Sequence, residues 1–309
     1  MERKIDVISI LKTILRILLG AFFITTAIMK LLSLDNFELY IFSFRIFNFV
    51  WSTVVARLVI MAEMIIGFFL IFKILYRPTW WSAMLMLVGF TLLLVYIVLF
   101  RNDSNCHCMG DIVELDPLWS IVKNVVTMLL LLLVYKETPW QFKGKKAVAI
   151  VGVCAAVLTT FAFFPLDDVY VFFSKRQNTY NEQSFQSFMN DSLMMAQQLD
   201  DGRYIMGVLS SGCHYCLLSG QKLSTMHEIH QLDTNRIILA IWGNNESIQR
   251  FKDTTNTAMF RYVTVSPFQA VELVNGAFPT YLFIENMQVV KVADLRQLTE
   301  RDVVNFLQH

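Results

Sequence analysis

Charge of either sign is scarce in this chain and nearly cancels: 17% of its 309 residues are Asp, Glu, Lys or Arg, and the formal net charge is +1 at pH 7. A nucleic-acid partner calls for a basic surplus to neutralise phosphates, so that class of function is set aside. Cysteine is scarce too. Five are too few for a disulfide framework, and four of them fall in two close pairs, Cys106/Cys108 and Cys213/Cys216. Close pairing points to reaction or to metal rather than to a scaffold. Internal repeats, low-complexity tracts and a glycine-rich phosphate loop are all missing, which removes solenoid and nucleotide-cradle readings.

What is abundant is apolar. Hydrophobic residues make up 55% of the chain and the mean hydropathy is +0.50, too high for a soluble protein. The apolarity is uneven, with the long runs in residues 8–164 and an ordinary soluble mixture over 175–309. One part in lipid and one part in water are implied.

Five spans are predicted. The run Val7–Leu32 carries Lys12 and Arg16, and no Ala-x-Ala cleavage site follows it, so it is expected to be kept as the first span rather than removed as a signal peptide. Residues 37–50 are rich in Phe but fall short of the roughly 20 residues that a crossing requires, which predicts an interfacial or re-entrant segment. Further spans are expected over 51–72, 79–100, 118–135 and 147–164. Trp51, Trp80, Trp81, Trp119 and Trp140 lie at or near their ends, as an interfacial aromatic belt requires. With five spans, Arg3, Lys4, Lys73, Arg77, Lys136, Lys143, Lys145 and Lys146 share one side, and the positive-inside rule makes that side the cytoplasm. The loop 101–117 and everything beyond residue 165 then lie outside, and both cysteine pairs with them.

The soluble part reads as alternating strands and helices. Strands are expected at 203–210, 236–242, 261–265, 280–285 and 288–293. Helices are expected over 187–199, from Cys213, over 246–255 and after Thr299, where Thr299 and Asp302 have the spacing of a capping box. This is an α/β pattern.

Within it, the apolar run Tyr204 to Leu209 gives way to Ser211, Gly212, Cys213, His214, Tyr215 and Cys216 at a predicted helix start. A Cys-x-x-Cys placed there can open and close a disulfide, because a helix N-terminus favours the thiolate of the first sulfur. The competing reading, half of a zinc site, lacks a second half of matching spacing. A protonated His214 would favour the Cys213 thiolate further; a solvent-facing loop histidine is the alternative. Downstream, Phe278, Pro279 and Thr280 open a hairpin-like pair of strands. Over about residues 200–309 the chain resembles the thioredoxin superfamily, which pairs its Cys-x-x-Cys with a cis-proline loop one strand away. It departs from that pattern in Gly212, where many members carry Trp, and in the His214-Tyr215 dipeptide. The resemblance implies that Cys213 exchanges with client disulfides or thiols, that Cys216 resolves the mixed disulfide, and that Phe278, Pro279 and Thr280 line the client groove.

The second pair lies in Asn105, Cys106, His107, Cys108, Met109 and Gly110, between the third and fourth spans. Its bland readings are a metal clip with His107 or a static disulfide; a Cys-x-Cys ring is small and strained, which favours lability and hence redox use. With this motif, the stretch Phe23 to Leu31 and Glu63, about residues 8–136 resemble the MauE/DoxX-like membrane proteins. That group is associated with electron transfer to or from periplasmic disulfides. Cys154 stands alone in an apolar span and reads as a packing residue.

Beyond the first span, three charges fall inside predicted spans. Arg57 and Lys123 lie within reach of the outer interface and are expected to snorkel. Glu63, near mid-membrane, cannot reach water, so it is expected to be protonated or paired; Arg57 and Glu63 are the candidates for quinone or proton handling, against a structural hydrogen bond between helices.

Together these readings describe a membrane α-helical bundle, a four-helix MauE/DoxX-like unit plus a fifth spanning helix, followed by an α/β thioredoxin-like domain. The expected boundaries are a redox membrane domain over 1–146, the fifth helix over 147–165, a linker over 166–200 and the soluble domain over 201–309. The expected function is thiol:disulfide exchange in the bacterial inner (cytoplasmic) membrane, with Cys106, Cys108, Cys213 and Cys216 catalytic, a quinone as cofactor and no metal. Its partners would be extracytoplasmic thiol-containing client proteins. Two alternatives stay open, a non-catalytic assembly factor or chaperone and a small-molecule transporter.

Overall fold

The computed structural model describes residues 7–101, 116–135, 144–166, 179–195 and 197–308. They divide into two compact units, residues Met1–Ile41 with Thr53–Pro165, and residues Phe42–Ser52 with Leu166–His309.

Among the described residues five helices are long and apolar enough to cross a membrane, all within the first unit except the start of the second of them: Val7–Leu32, Phe49–Phe72, Tyr76–Phe100, Pro117–Val134 and Lys145–Ala162. Residues 37–50 add no further span. They fall partly in the nine-residue helix Leu34–Phe42, about 13 Å long at 1.5 Å per residue and too short to cross. Phe49 and Val50 already belong to the second span. The fourth span starts where Asp116 accepts the backbone N–H of Leu118 at 2.7 Å, with Pro117 in the first turn; an N-cap acceptor and an early proline both suit orphan helix donors.

Spans one and two cross through glycine. A Cβ on Gly20 would stand 2.7 Å from the Gly67 carbonyl oxygen, and one on Gly67 would stand 2.6 Å from the Gly20 oxygen, so only bare backbones can approach this closely. Nearby, Arg16 donates to the Leu70 and Ile71 carbonyls, which lie in the last turn of the second span, where carbonyls run short of intrahelical donors. Trp80 departs from the expected aromatic belt. It is buried and its Nε1 donates to the Leu131 carbonyl at 2.8 Å, tying span three to span four; Trp51, Trp81 and Trp119 are exposed as expected. The fifth span runs as an α-helix over Lys145–Val157 and continues as a π-helical turn, Leu158–Ala162.

The second unit is built on a five-stranded mixed sheet in the order β3-β2-β1-β4-β5, with β1 Arg203–Ser210, β2 Ile237–Trp242, β3 Arg261–Thr264, β4 Thr280–Glu285 and β5 Gln288–Ala293. β1, β2 and β3 run parallel; β4 is antiparallel to β1 and β5 to β4. Asn286 and Met287 both take positive φ between β4 and β5, the backbone that a two-residue hairpin loop demands. One face of the sheet, including Met206, Val208, Ile238 and Leu282, packs on Phe185, Phe188, Ala270 and Leu273. On the other face Tyr281 reaches Ser219 of helix His214–His230, and the Phe283 ring meets Phe306 of helix Glu300–Gln308 at 5.1 Å.

Three expectations are corrected here. Of the linker expected over 166–200, residues 167–178 and 196 lie outside the described residues, and the segment 179–195 belongs to the soluble core, because Phe185, Phe188, Met189 and Met194 are buried in it with the sheet. The helix expected over 187–199 is instead Glu182–Met189, capped by Asn181, followed by one turn at Ser192–Met195. A seven-residue helix, Pro267–Leu273, was not anticipated; Ser266 and Gln269 form its capping box. By contrast, Thr299 and Asp302 do cap the last helix, with Asp302 N donating to Thr299 Oγ1 at 3.1 Å.

Candidate functional site

β1 delivers the Cys-x-x-Cys. It ends at Ser210, the Cys213 N–H donates back to the Ser210 carbonyl at 3.1 Å, and Cys213 becomes the N-cap of helix His214–His230. The Cys213 carbonyl then accepts from Cys216 N and Leu217 N, each at 3.1 Å. Both cysteines are free thiols, Cys213 half-buried and Cys216 fully buried. One turn of helix thus turns a single motif into one accessible sulfur and one enclosed sulfur.

Their acidities diverge accordingly. The Cys213 thiol is pulled down to about 6, chiefly by the hydrogen bond from Cys216, with the N–H groups of Cys216 and Tyr215 and the charge of His214 adding to it and burial opposing it. Cys216 is pushed up, first because its proton is spent on Cys213 and then because it is buried. The Ser210 N–H also points at Cys216 Sγ, at 3.4 Å. With Cys213 lowered and Cys216 raised, the pair's one proton at neutral pH belongs on the inner sulfur, an arrangement that suits the outer sulfur to thiol exchange.

Phe278 and Pro279 are joined by a cis peptide bond. The register pairs Val208 with Thr280, so Pro279 comes alongside the end of β1 that leads into Cys213. Thr280 is buried and donates to the Ala277 carbonyl at 2.7 Å; Phe278 lies 6.4 Å from the Trp242 ring. Tyr215, Trp242 and Phe278 accordingly gather at the same end of the sheet as Cys213. Gly212 adjoins open space, with nothing within 4 Å of a Cβ built there.

Beneath the pair lies a feature that sequence reasoning missed. The Tyr281 hydroxyl donates to Ser219 Oγ at 2.9 Å, and Ser219 Oγ donates to the Cys216 carbonyl at 2.9 Å. Burial raises the Tyr281 phenol above its usual range, so this chain stays neutral and anchors the turn that holds Cys216. No buried carboxylate accompanies it; Lys222 is the one buried Asp, Glu, Lys or Arg of this unit among the described residues.

In the membrane unit the candidate charges are rearranged. Arg57 does not snorkel. It is buried and paired with Glu38, and it donates to the carbonyls of Thr53, Phe164 and Pro165 at 3.1, 3.0 and 2.9 Å. Glu63 is buried and paired, but its partner is Lys30, near the end of the first span. Lys123 lies 5.8 Å from the Phe22 ring and is half-buried. Spans one and two run antiparallel, and helical side chains lean toward their own N-termini, so Lys30 and Glu63 lean toward a common level. Cys154 is exposed on the fifth span. Cys106 and Cys108 fall outside the described residues, and among those described no group of three or more His, Cys, Asp or Glu could hold a metal ion.

Comparison with curated proteins and with solved structures gives no match. A family model does match: residues 8–136 fit the one described as Methylamine utilisation protein MauE. With five helices of spanning length and composition, the chain is a membrane protein whose residues 8–136 are similar to the MauE family.

Proposed function

We propose that the protein is a membrane-bound thiol:disulfide oxidoreductase of the bacterial inner membrane, with a thioredoxin-like C-terminal unit outside the cytoplasm. The observation that carries this reading is the inequality of the two sulfurs: a half-buried Cys213 pulled down to about 6, and a buried Cys216 that keeps its proton. A packing pair or a static clip has no use for that difference, whereas thiol exchange depends on it. Pro279, alongside the end of β1, supports the same reading, since an extended client segment could run beside Phe278, Pro279 and Thr280.

Electrons are taken to flow from client to membrane. A client thiolate attacks Cys213 Sγ of the Cys213–Cys216 disulfide and releases the Cys216 thiolate, which takes up a proton. The client's second thiolate then attacks the mixed disulfide, leaves with its own disulfide formed, and frees Cys213 as thiolate. Stabilising that thiolate stabilises the dithiol form, which makes the disulfide the stronger oxidant. Cys106 and Cys108 re-oxidise the soluble pair by the same exchange and pass two electrons and two protons to a quinone, the two-electron acceptor at home in a bilayer.

The test is anaerobic: purified full-length protein, a reduced client dithiol and a short-tailed benzoquinone. Catalytic appearance of quinol, lost in Cys213→Ser, is expected. No turnover above the uncatalysed rate would sink the proposal.

A further inference from the structure

We propose that Lys30 and Glu63 form the proton-exchange site for the quinone headgroup, with Glu63 Oε2 as the atom that gives and takes the proton. The proposal rests on the quinone-linked reading above and names its site.

Among the described residues five charged side chains are buried in the membrane unit, and their hydrogen bonds separate them. Arg16 is committed to the Leu70 and Ile71 carbonyls. Arg57 is committed to Glu38 and to three carbonyls, which leaves it the role of a clasp rather than of a ligand-binding group. The remaining pair is different. Lys30 Nζ donates to Glu63 Oε1, while Glu63 Oε2 is buried with no hydrogen-bond partner, the one such side-chain atom among the described residues. A carboxylate oxygen left dry is costly in a low-dielectric setting, and native structures seldom carry one without a ligand or water to explain it.

The surroundings of that pair narrow the ligand. The Lys30 ammonium lies 4.9 Å from the Phe90 ring centroid and 5.7 Å from that of Phe37. Charge at the site is already balanced by the ion pair, so an ionic solute gains nothing there. Aromatic walls offer no hydrogen bonds to a sugar or other polyol. What fits is a planar, apolar ring bearing an oxygen that accepts a proton in one state and donates it in another, which is the chemistry of a quinone and its quinol.

The proton count closes. At rest Glu63 is a carboxylate paired with Lys30. The dithiol that supplies the electrons forms its S–S bond and releases two protons; one goes to one quinone oxygen, and the other is taken up at Glu63 Oε2 and handed to the second quinone oxygen, which leaves the carboxylate paired with Lys30 again. Quinol leaves, and Glu63 ends the cycle as it began.

The experiment uses the full-length protein in detergent, a short-tailed benzoquinol in equilibrium dialysis under argon, and steady-state quinone reduction driven by the reduced client dithiol. Glu63→Gln is expected to weaken quinol binding by about tenfold or more, the usual scale for loss of a hydrogen bond to a charged group. Its kcat should fall as well, because an amide cannot relay the proton. Since Glu63→Gln leaves Lys30 buried and unpaired, the double variant Lys30→Gln with Glu63→Gln removes both charges and guards against a folding defect. If that variant melts like wild type yet binds quinol within twofold and keeps both kcat and KM, the pair is structural and this inference alone fails. If wild type neither binds quinol nor reduces quinone, the parent reading falls and this one with it.

Discussion

Cys213 and Cys216 stand one helical turn apart, and the hydrogen bond between them leaves a single proton, on the buried Cys216. Everything else at that end of the sheet follows the same division. Cys213 sits at the end of β1 that Pro279 runs alongside, while the sulfur of Cys216 receives the Ser210 N–H and its backbone carbonyl is held by Ser219 and, through it, Tyr281.

Alkylation of the full-length protein, read peptide by peptide, is therefore expected to label Cys213 with a midpoint near pH 6 and to leave Cys216 almost untouched at neutral pH. Cys216→Ala should move the midpoint upward, because the Cys216 hydrogen bond is the main cause of the low value. The linked stability has a definite sign. The folded value lies below the ordinary thiol value of about 8.5, so the contribution is complete above that pH and is lost as pH falls through about 6. A midpoint unmoved in Cys216→Ala would refute the account.

Thiol exchange is reversible, and removing Cys216 should trap its reverse direction halfway, after the Cys213 thiolate has attacked a client disulfide and before Cys216 can resolve the adduct. Cys216→Ser is expected to accumulate mixed disulfides with envelope proteins on a non-reducing gel, and the adducts should vanish on reduction. Cys213→Ser should give none, because the remaining sulfur is buried. Equal adducts from the two variants would mean that the attacking sulfur is wrongly assigned.

How much of this could be read from sequence depended on whether a residue's partner was close by in the chain. The spans and the strands 203–210, 280–285 and 288–293 were legible, because long apolar runs have one stable answer in lipid and β-branched runs between turn residues have few in water. The Cys-x-x-Cys and Phe278–Thr280 were legible as local motifs. Ion pairs were not: a lone sequence says nothing of which helix faces meet, so Arg57 was weighed against the membrane edge when its partner was Glu38, and Lys30 went unnoticed beside Glu63. Trp80 sat at a helix end like its neighbours, and only the Leu131 carbonyl distinguishes it. The helix Pro267–Leu273 did carry a signal, Ser266 three residues before Gln269, but its seven residues are too few for an apolar period to stand out.

The crossing of spans one and two at Gly20 and Gly67 leaves no room for a side chain. Gly67→Val is expected to destabilise the membrane unit by about 1–3 kcal/mol, as overpacking does, since its Cβ would meet the Gly20 oxygen at 2.6 Å. Thermal melting in detergent would measure it. A melt equal to wild type would show that the helices can part without loss.

The proposed orientation has a direct test. A reporter active only outside the cytoplasm should work when fused after His309 and be silent when fused after Gly144. The opposite pattern would invert the topology, and the two cysteine pairs would then face the cytoplasm.

The two cysteine pairs need only share a compartment and a chain to react, because tethering raises the effective concentration of one toward the other to the order of millimolar. Exchange between them then requires little affinity, and the redox state of the soluble pair becomes a reporter of the membrane pair. If the membrane part re-oxidises Cys213 and Cys216, cells carrying Cys106→Ser with Cys108→Ser should accumulate the soluble pair as dithiol. A thiol-labelling mobility shift on intact cells measures this, and the quantity to compare is the fraction of Cys213 and Cys216 labelled before any reductant is added. Loss of quinone by mutation of its synthesis should give the same accumulation with all four cysteines present, which separates a missing acceptor from a missing relay. A soluble pair that grew more oxidised instead would reverse the electron flow and make the protein a reductase of its clients. An unchanged state in both backgrounds would end the partnership of the two pairs altogether.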